Sequence, residues 1–186
     1  MKFEWKNYRP KEHALLEIWF EKGFSSNSWL ISKYATTSFT DDYESVRGGC
    51  NFMKVVSHNG EPVAVVGVRD LIEYESKGRK IRYGMINPIV VNPKLLGKGY
   101  GTAVVKDLVE NLKEITGISF RRLEAMVEKT NERSLRLFRG QGFSEDEQPG
   151  TNFVNFKKEF VRKKFKYKSR LSTVRKEKKL ANEKGW

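Results

Sequence analysis

The chain has 186 residues, 38% of them hydrophobic, with 36 Lys or Arg against 23 Asp or Glu. That length suits one compact domain with an extension rather than two domains, and the apolar fraction suffices for an ordinary core. No stretch reaches the roughly 18 apolar residues of a membrane span, nothing near the amino terminus reads as a leader, and the lone Cys50 excludes an intramolecular disulfide. A soluble, cytoplasmic protein with no membrane partner is therefore expected. The net charge of +13 is uneven, because residues 157–186 hold thirteen Lys or Arg against Glu159, Glu177 and Glu183, a net of +10 that leaves only +3 for everything before them. The sequence thus divides into a domain over 1–157 and a basic tail over 158–186.

In chain order, Phe3 to Arg9 alternates as a first strand, and Leu15, Leu16, Ile18, Trp19 and Phe20 predict a helix from His13 to Lys22 ended by Gly23. Residues 25–49 are polar and aromatic, with a second short helix expected near Trp29 to Tyr34. Asn51–Ser57 and Pro62–Tyr74 read as strands joined through His58-Asn59-Gly60-Glu61, a hairpin signal. Lys77-Gly78-Arg79 marks a turn, and a further strand runs from Lys80 to Val91 before Asn92-Pro93. Val104, Val105, Leu108, Val109, Leu112 and Ile115 then recur at helical spacing up to Gly117. Arg122–Glu128 is the next strand, Asn131–Arg139 a short helix closed by Gly140 or Gly142, and Thr151–Phe156 the last strand.

Between strand and long helix stands Leu96-Gly97-Lys98-Gly99-Tyr100-Gly101-Thr102. A strand that turns tightly into a helix aims free backbone NH groups and the positive end of the helix dipole at whatever lies above the loop, which is an anion site. Glycines at 97, 99 and 101 let the backbone bend and approach the anion, and Lys98 adds a charge. The spacing is neither the dinucleotide fingerprint, which needs a third glycine where Thr102 stands, nor a P-loop, which needs Gly-Lys-Ser/Thr. A plain surface turn is the competing reading.

The order of strand, Asn92-Pro93, glycine loop and long amphipathic helix is similar to the acetyl-CoA motif of GNAT-superfamily N-acetyltransferases, with Leu96 where that family usually has Gln or Arg. Downstream, Asn131-Glu132-Arg133-Ser134-Leu135-Arg136-Leu137-Phe138-Arg139-Gly140-Gln141-Gly142-Phe143 resembles the family's second motif. The resemblance implies an α/β (α+β) fold with a mixed, mostly antiparallel sheet, splayed between its fourth and fifth strands and flanked by helices. It implies acetyl-CoA as acyl donor, no metal, and direct transfer of the acetyl group to a primary amine in a ternary complex. The loop from Leu96 to Thr102, the strand residues Ile89, Val90 and Val91, Asn131 and Phe138 would then hold the donor, with the NH of Ile89 serving as oxyanion donor and Val91 meeting the pantetheine amide. Pro88, which cannot donate to a ladder, fits a bulge at Asn87-Pro88 that splays the strand.

Proton transfer is less determined. Met85 stands where many relatives have a base glutamate, and Phe138 where many have an acid tyrosine. Glu73 on the neighbouring strand and Glu124 across the gap are candidate bases, Tyr83 and Asn87 share the face of Met85, and Ser134 is a candidate donor near the sulfur. Each is also at home as a solvated residue, Asn131 as a helix cap, and Phe138 as core. His13 and His58 are expected away from the cleft. Three readings of function stay open: an acetyl-CoA-dependent N-acetyltransferase on an unidentified small molecule or protein, a CoA-binding relative without catalysis, and a nucleic-acid or ribosome-associated module acting through the tail. In that tail Phe160, Val161, Phe165, Tyr167, Leu171 and Val174 are interleaved with Lys and Arg, which suits a helix packed on the domain, a contact with RNA or another polyanion, or disorder. The sequence leaves the oligomeric state open, a homodimer included.

Overall fold

The structure is a computed structural model that describes residues 1–16, 18–19, 51–75, 78–147 and 149–160. The expected helix near Trp29–Tyr34, the end of the first helix, Cys50, Lys77 and the tail beyond residue 160 lie outside the described residues.

Seven strands form one sheet in the order β1-β2-β3-β4-β5-β7-β6, with β1 Glu4–Asn7, β2 Asn51–His58, β3 Glu61–Tyr74, β4 Lys80–Val91, β5 Arg122–Glu128, β6 Ser144–Glu147 and β7 Phe153–Glu159. Every neighbouring pair is antiparallel except β4 and β5, which run parallel. Asn59 and Gly60 make the β2–β3 turn at φ 53° and 82°, the doubly positive geometry that suits the twist of a two-residue hairpin. β4 and β5 have the bounds expected from their apolar runs. β6 was not foreseen, because Ser-Glu-Asp-Glu is exposed throughout and carries no apolar alternation. β7 runs past the expected Phe156 to Glu159, where its charges pair across β5: Arg122 faces Glu159 and Glu124 faces Lys157.

The first helical segment, α1, covers Pro10–His13 and passes into a 3-10 turn over Ala14–Leu16. It begins earlier than the apolar spacing suggests because Pro10 suits a first helical position, where no NH is needed. α2 spans Tyr100–Thr116 and α3 Glu132–Gly140. α2 ends where Gly117, at φ 74°, returns its NH to Lys113. Its buried stripe of Val104, Val105, Leu108 and Leu112 packs on Val66, Val68, Ile86, Leu123 and Phe156 of the sheet to make the main core. Trp5 Nε1 donates to Asp107 Oδ2 at 2.6 Å and ties β1 to α2. On the opposite face of the sheet, Val65 and Val90 are packed against Tyr8, Leu16, Trp19 and Met53. Among the described residues, no helix is long and apolar enough to cross a membrane.

Candidate functional site

The sheet opens at its middle. Parallel pairing of β4 with β5 runs only from Tyr83 opposite Arg122 to Ile86 opposite Ala125. On its other edge β4 stays paired with β3, with Val66 opposite Ile89 and Val68 opposite Ile86, so Asn87 and Pro88 together face the single residue Gly67. That is a bulge on β4 at the expected position, and the Asn87–Pro88 peptide is cis. Gly67 makes it possible, since a Cβ there would stand 2.3 Å from the Asn87 carbonyl oxygen.

Beyond the bulge, β4 keeps β3 on one side and has a gap on the other. The NH of Asn92 donates to Val63 O at 2.9 Å. Strand amides alternate in direction, so the NH of Val90 also turns toward β3, while those of Ile89 and Val91 face the gap. A carbonyl or amide lying in the gap would meet these groups as it would a neighbouring strand.

The loop after β4 begins with Asn92, whose Oδ1 accepts from Lys94 N at 3.0 Å and starts a 3-10 turn over Pro93–Leu95. Gly97 and Gly99 then take φ of 77° and 83°, and no heavy atom lies within 4 Å of where their Cβ atoms would be. Gly99 is the N-cap of α2, and no side chain caps that helix. Its first-turn NH groups, which have no intrahelical partner, therefore open toward the gap. Gly101 serves packing instead: a Cβ would lie 3.2 Å from Leu137 Cδ1 and 3.4 Å from Val91 Cγ2.

These pieces enclose one cleft of about 460 Å³. Of the predicted donor-binding residues, Ile89, Val90, Val91, Leu96, Gly97, Gly99, Tyr100, Gly101, Thr102 and Asn131 line it, as does Ser134. Lys98 is exposed beside it. Phe138 is not a wall of the cleft, because its ring is 2% exposed and packs between Phe143 and Phe156 at 5.2 and 5.4 Å; Leu137 supplies the wall. Arg133 and Arg136 also line the cleft and add positive charge on the α3 side, a role the motif pattern alone does not assign them. Asn131 Oδ1 caps α3 by accepting from Ser134 N at 3.1 Å, which leaves its Nδ2 amide as the donor it offers a ligand. His58 is closer than expected: its ring lies 6.0 Å from that of Tyr100, and its Nδ1 donates to Lys2 O at 2.9 Å. The turn at 59–60 is only two residues long, so His58 belongs to the strand end beside the loop. His13 instead accepts from Arg9 N.

Of the candidate proton-transfer groups, Ser134 lines the cleft from α3, whereas Glu73, Glu124 and Tyr83 lie together on the sheet, at the closed end of the gap. Arg122 of β5 donates from Nη2 to Glu73 of β3 and from Nε to Glu124 of its own strand. Its guanidinium sits 4.5 Å from the centre of the Tyr83 ring on β4. Glu73 and Glu124 are thus joined through one arginine. Burial opposes the charge on Arg122, but its bonds to the two carboxylates outweigh that and raise its pKa. Burial, and then the charge of Glu124, raise the Tyr83 phenol as well, so it holds its proton at neutral pH.

A cleft with paired outward amides on one strand and an uncapped helix start behind it fits a ligand that has amide groups in line with a pyrophosphate, which describes acetyl-CoA. A family model described as acetyltransferase (GNAT) family matches residues 13–143. No curated protein matches significantly by sequence. Among solved structures, a GNAT acetyltransferase candidate from Desulfovibrio desulfuricans is 14% identical, with a TM-score of 0.61 over 85% of this chain and 99% of that one. N-acetyltransferase PseH of Campylobacter jejuni, in complex with acetyl coenzyme A, is 13% identical at a TM-score of 0.59 over 86% of this chain and 100% of its own. An acetyltransferase from Thermus thermophilus is 15% identical at 0.59, over 86% and 98%.

Proposed function

The chain belongs to the acetyltransferase (GNAT) family, and from that premise we propose that it moves the acetyl group of acetyl-CoA to a primary amine by direct attack in a ternary complex. The observation that carries this reading is the conjunction of the β4 edge open at Ile89 and Val91 with the uncapped start of α2 behind Gly97 and Gly99. The pantetheine arm lies against the β4 edge as an extra strand would, and the pyrophosphate lies over the first-turn amides of α2. Arg133 and Arg136 supply further cations for an anionic ligand, and the ion pair of Arg136 with Glu132, at 3.6 Å, is long and exposed and so readily given up.

Acyl transfer needs a donor for the oxyanion that forms on the thioester carbonyl. The NH of Ile89, first after the bulge and directed into the gap, has that role. The amine approaches from the opposite face of the sheet, so both substrates are held at once and no cysteine intermediate is needed. The test is calorimetry with acetyl-CoA, followed by CoA release in the presence of amines, polyamines, aminoglycosides and peptides. Binding near micromolar with release for at least one amine is expected. Absence of acetyl-CoA binding would sink the reading, and binding without release for any amine would favour a CoA-binding protein that has lost catalysis.

A further inference from the structure

The amine that attacks the thioester must lose a proton, and among the described residues no carboxylate lines the cleft. On the sheet, two acids are held together by Arg122. Of its two partners, Glu73 has a side chain 50% exposed and that of Glu124 is 12% exposed. Glu124 stands opposite Met85 in the register, one pair before β4 and β5 part after Ile86 and Ala125. Leu123 and Ala125 point into the core under α2, so Glu124, with Arg122 and Tyr83, lies on the other face, the face from which an amine enters the gap. From Met85 to Ile89 the strand covers about 13 Å at its usual rise, shortened by the bulge, a span bridged by the acceptor amine and a short chain of ordered water.

We propose that Glu124, fixed in position by Arg122, is the group that accepts the proton of the attacking nitrogen. The assignment rests on the acetyl-transfer reading above. The neutral amine adds to the thioester carbonyl, forming the C–N bond and placing the negative charge on oxygen beside the NH of Ile89. The nitrogen, now positively charged, passes one proton to Glu124 through the ordered water between them. The carbonyl re-forms, the C–S bond breaks, and CoA leaves as a thiolate that takes a proton from solvent. The proton comes from the charged intermediate, which is far more acidic than a free ammonium, so a carboxylate suffices to take it. Arg122 acts as a positioning residue. Its two bonds and its seat on the Tyr83 ring leave Glu124 little rotational freedom, and removing it frees the carboxylate to turn away.

The experiment uses the full chain and, as probes, spermidine, 2-phenylethylamine, kanamycin and a peptide with a free amino terminus, taking the one that releases CoA fastest. Glu124→Gln keeps the hydrogen bond to Arg122 and so keeps the fold, checked by its unfolding midpoint. It is expected to lower kcat about 100-fold or more, the usual scale for a lost general base, with acetyl-CoA affinity within about twofold of wild type. Formate restores part of the activity of Glu124→Ala, and Arg122→Lys stays well above Arg122→Met. An active wild type whose Glu124→Gln variant keeps more than about a third of kcat overturns this assignment and leaves the acetyl-transfer reading standing. A wild type that releases CoA with none of the probes overturns both.

Discussion

Gly97 and Gly99 occupy left-handed backbone positions in open space, whereas Gly101 is helical and hemmed in by Leu137 and Val91. Their substitutions therefore separate two functions that a run of glycines confounds. Valine at 99 faces no neighbour but must adopt a conformation that costs an L-residue about 1–2 kcal/mol, and its branches stand where the phosphates approach. Gly99→Val is expected to lose a few degrees in Tm and at least about 30-fold in acetyl-CoA affinity, the latter being about 2 kcal/mol, measured by calorimetry. Valine at 101 adds overpacking of about 1–3 kcal/mol, so Gly101→Val is expected to lose more stability as well as affinity. A folded Gly99→Val protein with unchanged affinity would falsify the phosphate cradle. Gly67 has a third role, visible only in the register: it yields space to the Asn87 carbonyl. Alanine there is expected to close the bulge or unfold the strand pair, with loss of acetyl-CoA binding in either case. The loop glycines were legible because their purpose is written within seven consecutive residues. Gly67 was not, because its purpose depends on a strand twenty residues further along the chain. The Arg122 bridge was hidden for the same reason: Glu73 and Glu124 read as independent candidates until β3, β4 and β5 are laid side by side.

At the level of elements, α3 has one face in the core through Leu135 and Phe138 and another on the cleft through Arg133, Ser134, Arg136 and Leu137. Its start is set by Asn131, which lies at the junction of both functions. Asn131→Ala removes the cap and is expected to cost about 1 kcal/mol, seen as a fall of about 2–4 °C in Tm. Asn131→Asp caps as well as asparagine, and so is expected to keep Tm while weakening acetyl-CoA about tenfold, since a carboxylate replaces the Nδ2 donor beside an anionic ligand. Equal affinity for wild type and Asn131→Asp would confine Asn131 to the cap. Elements with strong periodicity were readable in advance: β4, β5, the β2–β3 hairpin and α2 all follow from apolar spacing and turn residues. The edge strand β6 was invisible because its four residues are all exposed and its order comes from β7 and from ion pairs such as Lys157 with Asp146 at 2.8 Å. The first helix starts earlier than its apolar spacing suggests because a proline suits the first helical position, and a short 3-10 turn over Ala14–Leu16 precedes Ile18 and Trp19, which are helical as that spacing implies.

On the scale of the whole molecule, the charge beyond the sheet asks for a purpose of its own. Lys157 and Lys158 belong to β7, and both are engaged inside the domain, Lys157 with Asp146 and Lys158 with the Gln141 carbonyl at 2.6 Å. Phe160 packs against the core, and its NH donates to Arg121 O at 2.8 Å. The unassigned charge therefore starts after Phe160, where residues 161–186 carry eleven Lys or Arg against Glu177 and Glu183. Such a density favours polyanions through counterion release, a term that is independent of the acetyl-CoA cleft. A chain ending at Phe160 is thus expected to keep acetyl-CoA affinity within about twofold while losing binding to a single-stranded RNA such as oligo(U). The full chain is expected to bind that RNA with a log–log salt slope steeper than about −2, corresponding to three or more neutralised phosphates at about −0.7 each. If instead the shortened chain binds RNA as well as the full one and its Tm drops by several degrees, the apolar residues of the tail serve the domain and its charges serve solubility. Fluorescence anisotropy at two salt concentrations, paired with a melting curve of each chain, decides between the two.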